Sequence, residues 1–84
     1  MASLEKFFAL STCIHCRNTR EFFEQNNVEI NPIYIDKLEG DEREAHMEEM
    51  SKYNSEMTFP TLVFSDGTVI VGFRRAEISK ELDL

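Results

Sequence analysis

Two cysteines stand at a spacing that can do chemistry, in Cys13-Ile14-His15-Cys16, and they are the only two in the chain. Such a pair can supply half of a tetrahedral zinc site, or it can cycle between dithiol and disulfide. A structural zinc site needs four ligands. Only His15 and His46 could supplement the pair, and His15 sits between the cysteines, where closing on the same metal is awkward. Two spectator thiols are a third reading, but the pair falls where an apolar run gives way to a helix-compatible stretch. That placement favours a redox dithiol. A helix N-terminus presents unpaired N–H groups and a partial positive charge, so a sulfur there favours its thiolate. Cys13, on the N-cap side, is expected to be the more exposed sulfur and the nucleophile. Cys16, within the first turn, is placed to attack a mixed disulfide from behind. Thr12, Ile14 and His15 surround the pair. Ile14 offers an apolar contact to a partner protein. His15 is either a modulator, favouring the thiolate when protonated, or an exposed residue with no role.

The elements that must hold this pair are legible in outline. Leu4 to Leu10 is short, apolar and aromatic, as a buried strand is. Ile14 to Asn27 suits a helix with Phe22 and Phe23 facing inward, stopped at Asn26-Asn27. Val28 to Ile35 reads as a second strand, and Pro32 places it at an edge or delays its start to about Ile33. Asp36 to Gly40 reads as a loop. Asp41 and Glu44 have capping-box spacing and open a helix to about Tyr53, with His46, Met47, Met50 and Tyr53 on one side as core packing. Thr61 to Phe64 and Thr68 to Val71 are β-branched runs joined by Ser65-Asp66-Gly67, a hairpin signal. Arg74 to Leu84 closes the chain as a helix, with Ile78 and Leu82 four apart. The order β-α-β-α-β-β-α is an α/β domain over residues 1–84. Its first half is a right-handed βαβ unit, and one mixed four-stranded sheet flanked by helices is the economical arrangement.

Composition bounds the function. Eighty-four residues make one small domain, and no apolar run approaches the ~20 residues that span a bilayer. No charged n-region leads into an apolar stretch at the start, so a cytoplasmic, reducing setting is expected. The net charge of −7 argues against nucleic acid as a partner. Most of it lies between Asp36 and Glu56, where eight acids face three bases, net −5. A solvated helix face accounts for that stretch, with a docking surface for a basic partner as the alternative.

The Cys-x-x-Cys at a strand-to-helix turn, then Thr58-Phe59-Pro60 leading into a hairpin, then Gly72 before a last helix, resembles a glutaredoxin over essentially the whole chain. The resemblance implies the thioredoxin fold, a thiol–disulfide oxidoreductase, Cys13 as attacking thiol, Cys16 as resolving thiol and Pro60 as a cis-proline opposite them. The backbone of Phe59 would then pair with the substrate like an added strand. Thr58, Gly72, Phe73 and Arg74 complete the implied substrate-binding set.

The departures carry information too. Dithiol glutaredoxins usually have Pro-Tyr where this chain has Ile14-His15, and a Lys that helps hold glutathione where it has Leu10. They commonly follow Gly-Gly with acids that grip glutathione's γ-glutamyl end, where this chain has Arg74-Arg75. Gly72-Phe73-Arg74 is instead similar to the ending of NrdH-type redoxins, which a reductase protein reduces. His15 occupies a place similar to that of a His in strongly oxidising periplasmic thiol oxidases, which implies a less reducing couple than thioredoxin's. The expected partners are therefore disulfide-containing proteins and either a reductase of the thioredoxin reductase type or glutathione, with no resident cofactor or metal and the chain acting as a monomer. An iron–sulfur cluster carrier using Cys13 is the alternative function. Arg74 and Arg75 either hold an acidic partner or substrate chain, or form a solvated pair.

Overall fold

A computed structural model of the protein describes residues 2–84. Its elements run β1 (Leu4–Ala9), α1 (Ile14–Gln25), β2 (Pro32–Tyr34), a 3-10 turn (Ile35–Lys37), α2 (Gly40–Tyr53), β3 (Thr61–Phe64), β4 (Val69–Val71) and α3 (Arg75–Leu82). The strands form one mixed sheet in the order β2-β1-β3-β4. β1 pairs in parallel with β2 and antiparallel with β3, and β3 and β4 form an antiparallel hairpin. This is the expected α/β architecture, with β1 and β3 central.

Alternation along those two strands divides the core into two layers, because successive side chains of a strand point to opposite faces. Phe7, Ala9, Leu62 and Phe64 join Phe22 and Phe23 of α1 and Ile78 of α3. Phe8 and Val63 point the other way, to Ile35 and to Met50 of α2. The register Phe7↔Leu62 keeps the two strands in phase, so each face stays apolar from strand to strand. Phe7 and Phe23 meet edge-on with ring centroids 5.8 Å apart. Among the described residues no helix is long and apolar enough to cross a membrane.

Several boundaries move from their expected places, each for a local reason. β1 stops at Ala9 rather than Leu10, and α1 stops at Gln25 rather than Asn27. Asn26 is the C-cap and Asn27 takes a left-handed φ of 58°, which lets the Val28 amide return to Phe23 O at 2.9 Å. The Asn-Asn pair is thus the stop the sequence suggested. β2 starts on Pro32 itself, at the sheet edge where a missing N–H costs no ladder bond. It is three residues long rather than the expected Val28 to Ile35: residues 28–31 lie outside the strand, and Ile35 turns down into the core under α2 and opens the 3-10 turn that replaces part of the expected loop.

The expected Asp41–Glu44 capping box does not form. α2 already begins at Gly40, Glu39 occupies the N-cap without a side-chain bond, and Asp41 lies inside the first turn. There Asp41 and Glu42 still meet the positive end of the helix dipole. Gly40 has φ +58°, a value open to glycine without steric cost. On α2 only Met50 is fully buried; Met47 and His46 are half-buried, and Tyr53 is 39% exposed rather than packed. β4 begins at Val69 rather than Thr68, because Thr68 closes the hairpin turn: its amide donates to Asp66 Oδ1 at 3.0 Å. α3 spans Arg75–Leu82 rather than Arg74 to Leu84, with Arg74 as N-cap and Asp83 left-handed as C-cap.

Candidate active site

The chain leaves β1 and must turn at once into α1, and the turn is made by the residues of the cysteine motif. The Cys13 amide donates to Leu10 O at 3.3 Å, which closes a tight turn, and Cys13 becomes the N-cap of α1. In that position its Sγ takes the place of a capping oxygen. The Cys16 amide donates to Cys13 Sγ at 3.4 Å, so one of the orphan N–H groups of the helix end points at the sulfur. The first turn of α1 carries no acid to oppose a thiolate there.

The two sulfurs differ in surroundings. Cys13 is half-buried, whereas Cys16 is 3% exposed and belongs to the core layer of Phe22 and Phe23. Both are free thiols. Burial pushes the Cys16 thiol up to about 12, with the neighbouring Cys13 and the charge of Asp36 adding to the rise and the Leu10 backbone opposing it. Cys16 is therefore a protonated thiol at neutral pH. The division expected from sequence, an accessible sulfur at the cap and a shielded one a turn behind it, is present in the fold.

The rest of the motif is held from outside. Ser11 donates through its amide to Asp36 Oδ1 at 3.0 Å and through its hydroxyl to Asp36 Oδ2. These bonds tie the loop before Cys13 to the 3-10 turn after β2, and they hold the Asp36 carboxyl below its ordinary range. Arg20 Nη1 lies 3.3 Å from the Tyr34 hydroxyl, a second tie between α1 and β2. Neither Ser11 nor Asp36 was singled out from sequence. Their partnership spans 25 positions, and nothing local signals it. Thr12, Ile14 and His15 are exposed, Ile14 at 57%. What the fold uses of His15 is its carbonyl, which accepts from Thr19 Oγ1 at 2.7 Å.

The second half of the site comes from the loop after α2. The Phe59–Pro60 bond is cis, as the resemblance implied, and Pro60 is buried directly before β3. Asn54, the buried C-cap of α2, organises this loop. Its Nδ2 lies 3.1–3.2 Å from Thr58 O, Thr58 Oγ1 and Thr61 Oγ1, and its Oδ1 accepts from the Glu56 amide at 3.2 Å. The Thr61 hydroxyl adds a bond to Thr58 O at 2.8 Å. Asn54 is a further positioning residue that sequence reasoning missed, because an Asn after a helix reads only as a stop.

Gly72 completes the arrangement. It has φ +88°, and its amide donates to Pro60 O at 2.9 Å, so the end of β4 is tied to the cis-proline. Cys13, Phe59 and Phe73 all pack against the same core layer. The structure thus ties Gly72 to the cis-proline segment, and brings Cys13 to the layer that Phe59 and Phe73 also cover. Arg74 is engaged within the protein: its Nε donates to Val71 O at 3.1 Å and its Nη1 lies 3.3 Å from Glu77 Oε1.

Comparison with known proteins places these features in company. A protein-family model described as Glutaredoxin matches residues 6–70. A glutaredoxin-like 8.6 kDa protein in the rubredoxin operon of Clostridium pasteurianum is 30% identical over 78 residues, 93% of this chain and 96% of that protein. Among solved structures, the glutaredoxin of Methanosarcina mazei Go1 superposes with a TM-score of 0.86 at 34% identity, covering 98% of this chain and 79% of its own. The methanoredoxin of Methanosarcina acetivorans gives a TM-score of 0.87 at 29% identity, covering 93% of this chain and 82% of its own.

Proposed function

This chain belongs to the glutaredoxin family, and from that premise we propose that it reduces protein disulfides through the Cys13–Cys16 dithiol. The observation that carries the reading is the Cys16 amide directed at Cys13 Sγ, with the second sulfur buried one turn behind. Cys13 as thiolate attacks one sulfur of the substrate disulfide. A mixed disulfide forms and the other substrate sulfur leaves as a thiolate. Cys16 then gives up its proton and attacks Cys13 Sγ. The second substrate sulfur is released as a thiol, the two electrons of the dithiol pass to the substrate, and the protein is left as the Cys13–Cys16 disulfide. Burial keeps Cys16 protonated until a mixed disulfide sits beside it, which limits side reactions of the resolving thiol.

A reductase protein, rather than glutathione, is the donor this reading favours. Leu10 lacks the cation, and Arg74-Arg75 lack the acids, with which glutathione's ends would be held. Two parallel assays on insulin disulfides test function and donor together: one couples the oxidised protein to thioredoxin reductase, the other to glutathione and its reductase. Faster turnover with thioredoxin reductase is expected. Turnover with neither donor, from protein whose two thiols titrate as reduced, would overturn the oxidoreductase reading.

A further inference from the structure

The pair Arg74-Arg75 is split by the fold. Arg17 lies 3.3 Å from Glu21, Arg20 lies 3.4 Å from Glu24, and Arg74 lies 3.3 Å from Glu77, so each of these arginines is matched within its own helix region. Arg75 makes no ion pair among the described residues. Its guanidinium instead lies over the Phe22 ring, 5.4 Å from the centroid, and Phe22 packs edge-on against Phe73 at 5.8 Å. Stacking of this kind orients the planar cation while leaving its N–H edge available.

A crevice of about 200 Å³ opens at this point, lined by Asn18, Glu21, Phe22, Gln25, Phe73 and Arg75. The Glu21 carboxylate is held by Arg17. Arg75 is therefore the uncompensated charge of the crevice, with two aromatic walls and the neutral amides of Asn18 and Gln25 around it. The crevice also lies within reach of the reacting sulfur. Asn18 is one turn beyond the exposed Ile14 on α1, and Gly72, three residues before Arg75, is bonded to Pro60 O.

We propose that this crevice receives an acidic side chain of the disulfide-bearing polypeptide, its stem against Phe22 and Phe73 and its carboxylate on Arg75. The inference rests on the oxidoreductase reading above and names a feature of its substrates. From Ile14 to Phe22 the helix rises about 12 Å at ~1.5 Å per residue. An extended substrate chain advances ~3.3 Å per residue, so the acid stands about three or four residues from the reacting cysteine. Overall charge makes the opposite demand: a chain of net −7 repels acidic partners in general. A preference for acid at that distance can only be local.

Two sets of peptides test this, identical except for Glu, Gln or Lys at the third or fourth residue from a single cysteine. In the first set that cysteine carries 2-nitro-5-thiobenzoate as a mixed disulfide, and pre-reduced protein is mixed with it in single-turnover experiments. In the second set the cysteine is Ser, and binding is read by fluorescence anisotropy. The wild-type protein is expected to favour Glu over Lys by about fivefold in both, with the preference fading as salt approaches ~0.5 M. Arg75→Glu is expected to reverse it and Arg75→Lys to keep part of it. Lys52→Glu, the same charge change on exposed α2, is expected to leave the preference in place. A wild-type preference for Lys, or equal effects of Arg75→Glu and Lys52→Glu, would overturn the proposal. Failure of wild type to release thiobenzoate, with Glu still preferred in anisotropy, would sink the oxidoreductase reading and uphold the crevice.

Discussion

The two layers that flank the sheet are built from the same two central strands yet carry different work. On one side, α1 and α3 bury Phe22, Phe23 and Ile78 and bring Cys13, Cys16, Phe73 and Arg75 with them. On the other, α2 buries Met50, carries much of the surplus acid, and ends in Asn54, which holds the loop of Phe59 and Pro60. The groups proposed to react and to recognise gather in the first layer, while the second contributes ties. A side chain that meets the substrate has to be reachable, so its element ends at the surface. A side chain that positions can be buried, and Asn54 and Ile35 are.

The largest expected effect lies wholly in the reacting layer. Cys13→Ser should abolish turnover, a loss of at least about 1,000-fold given that no other free thiol is accessible, while thermal unfolding shifts by only a few degrees. Cys16→Ser should instead accumulate a mixed disulfide on Cys13, visible by mass spectrometry of the intact protein. Residual multiple-turnover reduction in Cys13→Ser would mean that the division between layers is wrong.

Asn54→Ala crosses the boundary between them. Removing the side chain takes a donor from Thr58 O and from the buried Thr61 hydroxyl oxygen and should cost about 1–3 kcal/mol in denaturant unfolding. It should also lower kcat/KM about tenfold, because the Phe59-Pro60 segment loses its anchor. A stability loss with unchanged kcat/KM would show that the loop holds its shape without α2.

Alkaline titration tests the shielding of Cys16 in the first layer. The Cys16 pKa is raised in the fold, so the unfolded chain gives up this proton first. Stability from the protonated thiol is then present below pH ~9 and lost as pH rises toward about 12. Thiolate absorbance of Cys16 in the Cys13→Ser protein should appear only in that upper range. Its appearance near neutral pH would remove the physical basis for a shielded resolving thiol.

The smallest effect concerns Asp36, whose carboxyl the Ser11 bonds hold below its usual range. A lowered folded pKa contributes stability above the ordinary carboxylate range that is lost as pH falls through the folded value. Asp36→Asn should flatten that acid limb slightly and lower the rate two- to threefold by loosening the turn before Cys13. An acid limb identical to wild type would make the Ser11–Asp36 clamp dispensable.

What could be seen in the sequence was what depends on neighbours along the chain. The N-cap place of Cys13, the Asn26-Asn27 stop and the Asp66-Gly67 hairpin are each decided within a few residues by capping and turn chemistry. Even local rules failed where two signals competed. Asp41 has cap chemistry, but the helix already begins at Gly40 with Glu39 at the N-cap, which leaves Asp41 inside the first turn. The 3-10 turn at Ile35 was hidden because a buried Ile looks like one more strand residue until a helix is known to cover it.

By itself the sequence determined the element order, the alternation that makes two core layers, and the place of the cysteine pair at a helix start. These follow from periodicity and from side chains within one helical turn of each other. Only the tertiary structure decided which residues hold that pair to the rest. Ser11 meets Asp36 across 25 positions, Gly72 meets Pro60, and Arg74 and Arg75, indistinguishable as letters, part into a satisfied residue and an unmatched one. Partners so far apart in the chain come together only when the strands pair. Whether a charge has found a counter-charge depends on that pairing.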